Sequence, residues 1–204
     1  MPETTSPSAA EVRALVRRVV EDTLERPATA APRPERPEPS ATAHSVGGVT
    51  VAIAGDHGGW RLKDAIGAWL REHGYEVRDL GTHSDEAVDY PDLALAAARL
   101  VADGSCRWGI VVDGAGIGSA MAANKVPGVR AANCHDLSSA RNSREHNHAN
   151  VLTLGSGFLG TALALQVVET WLDTDWGAER HARRVRKITA IEESYAGAAG
   201  GREA

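Results

Sequence analysis

The spacing of apolar positions changes period along this chain, and the changes mark out its elements. Near the start, Val12, Leu15, Val16, Val19, Val20 and Leu24 fall on one helical face, with Arg13, Arg17, Arg18, Glu21 and Asp22 mostly off it. Ser8-Ala-Ala-Glu11 ahead of them has the spacing of a capping box. Residues 1–26 therefore read as a short amphipathic helix that cannot bury its stripe alone. From Pro27 to Pro39 the chain spends five of its nine prolines, mixed with Ala, Glu and Arg. Residues 27–47 read as an extended, semi-rigid linker. A helix on such a tether suits docking onto another protein; the alternative is a helix that folds back onto the domain or onto an oligomer interface.

From Val49 short β-branched runs alternate with helical patterns, the mark of a parallel α/β sheet. Five strands are predicted, at Val49–Ala54, Tyr75–Leu80, Trp108–Val112, Val129–Asn133 and Val151–Leu154. The helices between and after them are Trp60–His73 (Leu62, Ile66, Trp69 and Leu70 inward), Leu93–Ala102, a small-residue turn over Ser119–Ala123, Leu137–Glu145, Leu159–Leu172 and a basic helix from Ala178 to Ser194. The domain thus spans 48–195, and the Gly- and Ala-rich tail 196–204 is expected to fray.

The third strand ends in Asp113, followed by glycines at alternate positions, Gly114, Gly116 and Gly118. Strand, glycine loop and helix start together aim several backbone N–H groups at one spot, which favours an anion. Asp113 lies where open α/β sheets put their ligands; alternatively it only caps the helix that follows. Other strand ends are polar too: Asp56-His57-Gly58-Gly59 after the first, Asp89-Tyr90-Pro91 beyond the second. The helix after the fourth closes with Arg144-Glu145-His146-Asn147, and the last helix offers Arg180, His181 and Arg184. All of these are expected to gather at one edge of the sheet. A metal is not expected, because His146 and His148 lack an acidic or cysteine partner at ligand spacing.

Composition narrows the classes. A chain of 204 residues with 43% hydrophobic residues and a net charge of −5 describes a soluble protein with one main domain, not a nucleic-acid binder. Two cysteines, Cys106 and Cys134, suit a reducing cytosol. Neither a secretory signal nor a membrane-length apolar run is present, so a cytoplasmic protein is expected.

Six motifs in order carry a family resemblance: Asp56-His-Gly-Gly59, Asp89-Tyr-Pro91, Gly114-Ala-Gly-Ile-Gly118, Ala122-Ala-Asn-Lys125, Arg144-Glu-His-Asn147 and Arg180-His181 with Arg184. Together they resemble the sugar-phosphate isomerases that include type B ribose-5-phosphate isomerase and the galactose-6-phosphate isomerase subunits. The resemblance covers roughly Val49 to Tyr195. It implies a Rossmann-like three-layer α/β/α domain on a five-stranded parallel sheet, with no metal or organic cofactor. It also implies a homodimer, or a dimer of dimers, with active sites at the subunit interface. The reaction implied is the interconversion of a small phosphorylated aldose and its ketose through an enediolate, with ribose 5-phosphate the first candidate.

Carried over by position, Asp56 and His57 would line the sugar and phosphate, and Tyr90 would wall the pocket. The amides of Gly114, Gly116, Ile117 and Gly118 would hold the enediolate oxygen. His146, held by Asn147, would open the furanose ring, and Arg180 and Arg184, from the partner subunit, would bind phosphate. Many members have a catalytic cysteine where this chain has Asp113, and others a glutamate at Ser119. A hydroxyl is common at Ala115, and an arginine at Gly157. Asp113 is the expected base, since an aspartate is ionised at neutral pH without a helper. The competing reading is a non-catalytic sugar-phosphate binder or scaffold. The N-terminal helix, through residues 8–26, resembles peptides that carry enzymes to the protein shells of bacterial microcompartments.

Overall fold

The computed structural model describes residues 48–199. The predicted helix over 1–26, the linker over 27–47 and the end of the tail lie outside these residues. The strands are β1 (Thr50–Gly55), β2 (Glu76–Asp79), β3 (Trp108–Asp113), β4 (Ala131–Asn133) and β5 (Val151–Gly155). All pair in parallel in one sheet, in the order β2-β1-β3-β5-β4. The helices are α1 (Trp60–Glu72), α2 (Tyr90–Ala102), α3 (Ile117–Ala123), α4 (Leu137–Asn147), α5 (Thr161–Asp173) and α6 (Glu179–Ala199). One compact unit ends at Glu192; the last turns of α6 belong to a second.

The alternating pleat of the strands sorts the core into two faces. Val51, Ile53, Ile110, Val112, Leu152 and Leu154 meet α1 and α5 through Leu62, Ile66, Leu70, Val167, Val168 and Trp171. Ala52, Ala54 and Val111 face the other way, onto Ala94, Ala97, Ala98 and Val101 of α2. Small residues on both partners let α2 lie close to the sheet. Helices on both faces make the expected three-layer α/β/α sandwich.

Three details depart from the sequence expectation. Helix α2 starts at Tyr90, three residues early, because Pro91 fits the first turn, where no amide partner is needed. Helix α6 continues past Ser194 to Ala199. Lys63 points inward on α1 and is fully buried. Its ammonium is met by Asp79 at 2.7 Å and Asp64 at 2.7 Å. Burial pushes the Asp79 carboxyl up, but hydrogen bonds from Lys63 and the Gly81 N–H outweigh it and hold it below the usual carboxylate range. No helix among the described residues is long and apolar enough to cross a membrane.

Candidate active site

In this strand order β1 and β3 are neighbours while their connections leave to opposite sides, which opens a crevice at their carboxyl ends. Gly55 registers with Val112, so Asp56 and Asp113 follow side by side. The crevice depends on glycine. A Cβ on Gly59 would lie 2.1 Å from the Val112 carbonyl oxygen, and one on Gly116 would lie 2.6 Å from Asn133 Oδ1. Gly116 also holds φ at 76°, in the left-handed region, as the residue before α3.

The amide loop is already partly occupied, by Asp113 itself. Its Oδ1 accepts the N–H of Ala115 at 2.7 Å and the N–H of Gly116. Its Oδ2 accepts the N–H of Ser119 at 3.1 Å and the Ser119 hydroxyl. The side chain is buried. An acid so placed turns both oxygens back onto its own loop and keeps none for a substrate proton. Asp113, expected as the base, here holds the N-terminus of α3 through the Ser119 N–H and hydroxyl. The N–H groups of Gly114, Ile117 and Gly118 meet no acceptor among the described residues, and they are what remains of the expected oxyanion site. Asn133, donating to Ala115 O at 3.2 Å, and Thr153, donating to Gly116 O at 2.8 Å, brace the loop from β4 and β5. Sequence reasoning passed over both, because a polar residue in a short strand carries no signal of what it faces.

The rest of this edge fits the expectation in part. Asp56 is 7% exposed, and its Oδ1 accepts the N–H groups of Gly58 and Gly59 at 2.9 Å each. His57 is exposed, its Nδ1 3.3 Å from both the carbonyl and the N–H of Val88. Tyr90 heads α2 and lays its ring over Gly118, where a Cβ would come within 2.5 Å of it. Beside them opens a cavity of about 350 Å³ lined by Gly58, Arg61, Ser156, Gly157 and Thr161. Arg61, two residues beyond the Gly58-Gly59 turn, lines this cavity together with Gly157, its guanidinium 4.4 Å from the Trp60 ring centroid; its position in the first turn of α1 was the available clue.

His146, Asn147, Arg180 and Arg184 are elsewhere. A helix crossing between parallel strands runs antiparallel to them, so α4 starts at the carboxyl edge and ends at the amino edge, before Val151. Its 11 residues span about 16 Å. The expectation that all the polar motifs gather at one edge is therefore wrong for one chain, and the candidate residues form two groups at opposite ends of the sheet.

At the amino edge His146 stacks on His181 of α6, ring centroids 4.2 Å apart and planes within 8°. His146 Nδ1 is held at 2.9 Å by Asn142, one turn back, and not by Asn147, whose side chain is exposed. Arg180 and Arg184 lie one turn apart on α6, exposed and in no ion pair among the described residues. His181 is buried with both ring nitrogens unpaired. Burial, then the charges of His146, Arg180 and Arg184, lowers its pKa. Arg144 serves the fold: its guanidinium stacks 3.9 Å from the Trp108 ring centroid and donates to the carbonyls of Ala149, Trp171 and Thr174. Burial above all lowers its pKa to about 9, so it stays charged at neutral pH.

Two groups of side chains have metal-ligand composition. Donors of Glu145, His146 and His181 lie within 4.8 Å of one another. Stacked parallel rings, however, point their in-plane lone pairs side by side and not at a common centre. In the second group, Asp64, Asp79 and His83, the Lys63 ammonium already sits against both acids. The two cysteines are free and buried, and burial pushes both thiols up.

Residues 51–188 match the model of the ribose/galactose isomerase family. The chain belongs to this family. Ribose-5-phosphate isomerase B of Escherichia coli is 46% identical over 143 residues, 70% of this chain and 96% of that protein. A D-erythrulose-4-phosphate isomerase of Pectobacterium atrosepticum is 38% identical over 145 residues, 71% and 95% of the two chains. Among solved structures, ribose-5-phosphate isomerase B of Clostridium thermocellum superposes with a TM-score of 0.71 at 51% identity, covering 72% of this chain and 99% of that one. The Mycoplasma genitalium enzyme with bound ribulose 5-phosphate gives 0.70 at 38% identity, over 72% and 98%. The isomerase domain is thus the part shared with these relatives, and its reaction class is aldose–ketose isomerisation of sugar phosphates.

Proposed function

We propose that the protein isomerises ribose 5-phosphate, or an aldose phosphate close to it in size, in sites shared between two copies of the chain. The observation that carries this is the division of the candidate residues. The carboxyl edge has acid groups and free amides, suited to moving a proton and holding an enediolate. The amino edge has His146, Arg180 and Arg184, suited to opening a ring and binding phosphate. Neither group suffices alone, and a twofold pairing that sets one copy's amino edge against the other's carboxyl edge makes two complete sites. Ile117 and Met121, 47% and 65% exposed on α3, supply apolar surface beside the amide loop for a second copy to cover. The sugar follows from the name shared by several relatives.

Mixing two variants tests the arrangement. His57→Ala lacks a carboxyl-edge group and Arg184→Ala an amino-edge group. Each alone should be nearly inactive on ribose 5-phosphate. After subunit exchange a 1:1 mixture should recover about a quarter of parental activity, as half the dimers then hold one intact site. A mixture no more active than its components would show that each site is built from one chain.

For residues 8–26 we infer docking to a microcompartment shell. The support is the apolar stripe on its proline-rich tether, which lies outside the family match that begins at Val51.

A further inference from the structure

Isomerisation needs a base with a free lone pair near a donor that can hold the developing oxyanion, and the carboxyl edge offers one such pair. Asp56 uses Oδ1 alone to hold the Gly58 and Gly59 amides. Its Oδ2 meets no donor among the described residues and is not sealed in the interior. A point one carbon–carbon bond above Gly58 Cα lies 3.4 Å from Asp56 Oδ1 and 3.7 Å from the Gly114 nitrogen. The acid and the free amide thus flank the same turn, and a substrate that reaches it can contact Asp56 Oδ2 and the Gly114 N–H together, the arrangement a proton abstraction requires. Both groups sit one residue beyond the ends of the neighbouring strands β1 and β3, and the cavity lined by Gly58 and Arg61 opens beside them.

We propose that Asp56, and not Asp113, is the general base of this enzyme, a step that rests on the isomerase reading above. Asp56 takes the proton from carbon 2 of the open-chain aldose. The electron pair of that C–H bond forms the carbon 1–carbon 2 double bond, and the charge passes to the carbonyl oxygen, held by the free amides. Asp56 then returns the proton to carbon 1. The hydroxyl proton on carbon 2 moves to the oxygen on carbon 1, leaving a ketone at carbon 2. Nothing is gained or lost from outside. The Gly58 and Gly59 amides fix the carboxylate through one oxygen and leave the other for the substrate. Asp113, with four donors of its own, locks the loop that carries the free amides.

The test follows exchange of deuterium from carbon 2 of labelled ribose 5-phosphate, which a binding or purely structural role would not abolish. Asp56→Asn retains the oxygen that holds Gly58 and Gly59; it should melt like the parent, lose at least about 100-fold in kcat and stop the exchange. Asp113→Asn should lower the melting temperature while exchange continues at more than about a tenth of the parental rate. Should either variant fail to fold, Asp56→Ser keeps a cap oxygen and Ser119→Ala removes one Asp113 donor, and both read the same exchange with the same expected outcomes. Exchange at the parental rate without the Asp56 carboxylate overturns the proposal, as does its arrest in a folded Asp113 or Ser119 variant. A parent protein that isomerises no aldose phosphate would instead defeat the isomerase reading itself.

Discussion

At the scale of single residues, chemistry depends on which atoms are left over after the fold has used the rest. Asp113 and Asp56 are the same residue type at the ends of adjacent strands, and nothing in their neighbours in sequence separates them. In the folded chain one has both oxygens engaged and the other has one spare. His148 makes the same point for stability. It sits at φ 50° after α4, stacked on Trp176 with centroids 4.6 Å apart and Nε2 buried without a partner. Burial first, then the charges of Arg130 and Arg144, lowers its pKa to about 4. Between the unfolded value near 6.5 and about 4, the unfolded chain binds a proton that the folded chain does not. Stability from neutral His148 is therefore complete above pH 6.5 and is lost as pH falls toward 4. Asn tolerates the left-handed backbone and does not titrate, so His148→Asn should be less stable than the parent at pH 7.5 by roughly 0.5–1.5 kcal/mol of lost stacking. That difference should shrink or reverse by pH 5 in urea unfolding; a constant difference would show that His148 is not the acid-sensitive group.

At the scale of elements, the loop between β3 and α3 was the most legible part of the site and the helices the least. Its glycines could be read because each answers a local demand, but the demands differ. Gly116 is hemmed by backbone, with a Cβ falling 2.8 Å from the Leu154 carbonyl carbon, and its φ is positive. The three atoms nearest a Cβ on Gly118 all belong to the ring of Tyr90, a side chain that is 40% exposed. Gly116→Ala should therefore cost about 1–3 kcal/mol or more in urea unfolding. Gly118→Ala should stay within about 1 kcal/mol of the parent, since helix propensity favours Ala there. Its effect should appear as a raised KM, through the displaced ring. Equal destabilisation by both would mean that Tyr90 is as fixed as the backbone. Helix α4 taught the opposite lesson. Its motif Arg144-Glu145-His146-Asn147 was found in sequence, yet Arg144 is a core residue, and the partner of His146 is Asn142, one turn earlier on the same helical face.

At the scale of the whole molecule, the family match covers residues 51–188 and leaves the N-terminal segment outside it. Removing residues 1–45 should leave kcat/KM on ribose 5-phosphate unchanged, while a fluorescent cargo fused to residues 1–30 should follow co-expressed shell proteins. Loss of fold or of pairing on truncation would make the N-terminal segment structural. The sequence by itself determined the order of strands and helices, the three-layer class, the glycine loop and the family. Those follow from period-2 and period-3.6 patterning and from backbone demands that a few neighbouring residues meet. Only the tertiary structure decided which motifs share an edge, because a crossover helix carries its last residues to the far side of the sheet. It alone decided which acid keeps a free oxygen, because hydrogen-bond valence is filled through space by donors whose approach the order of residues does not record.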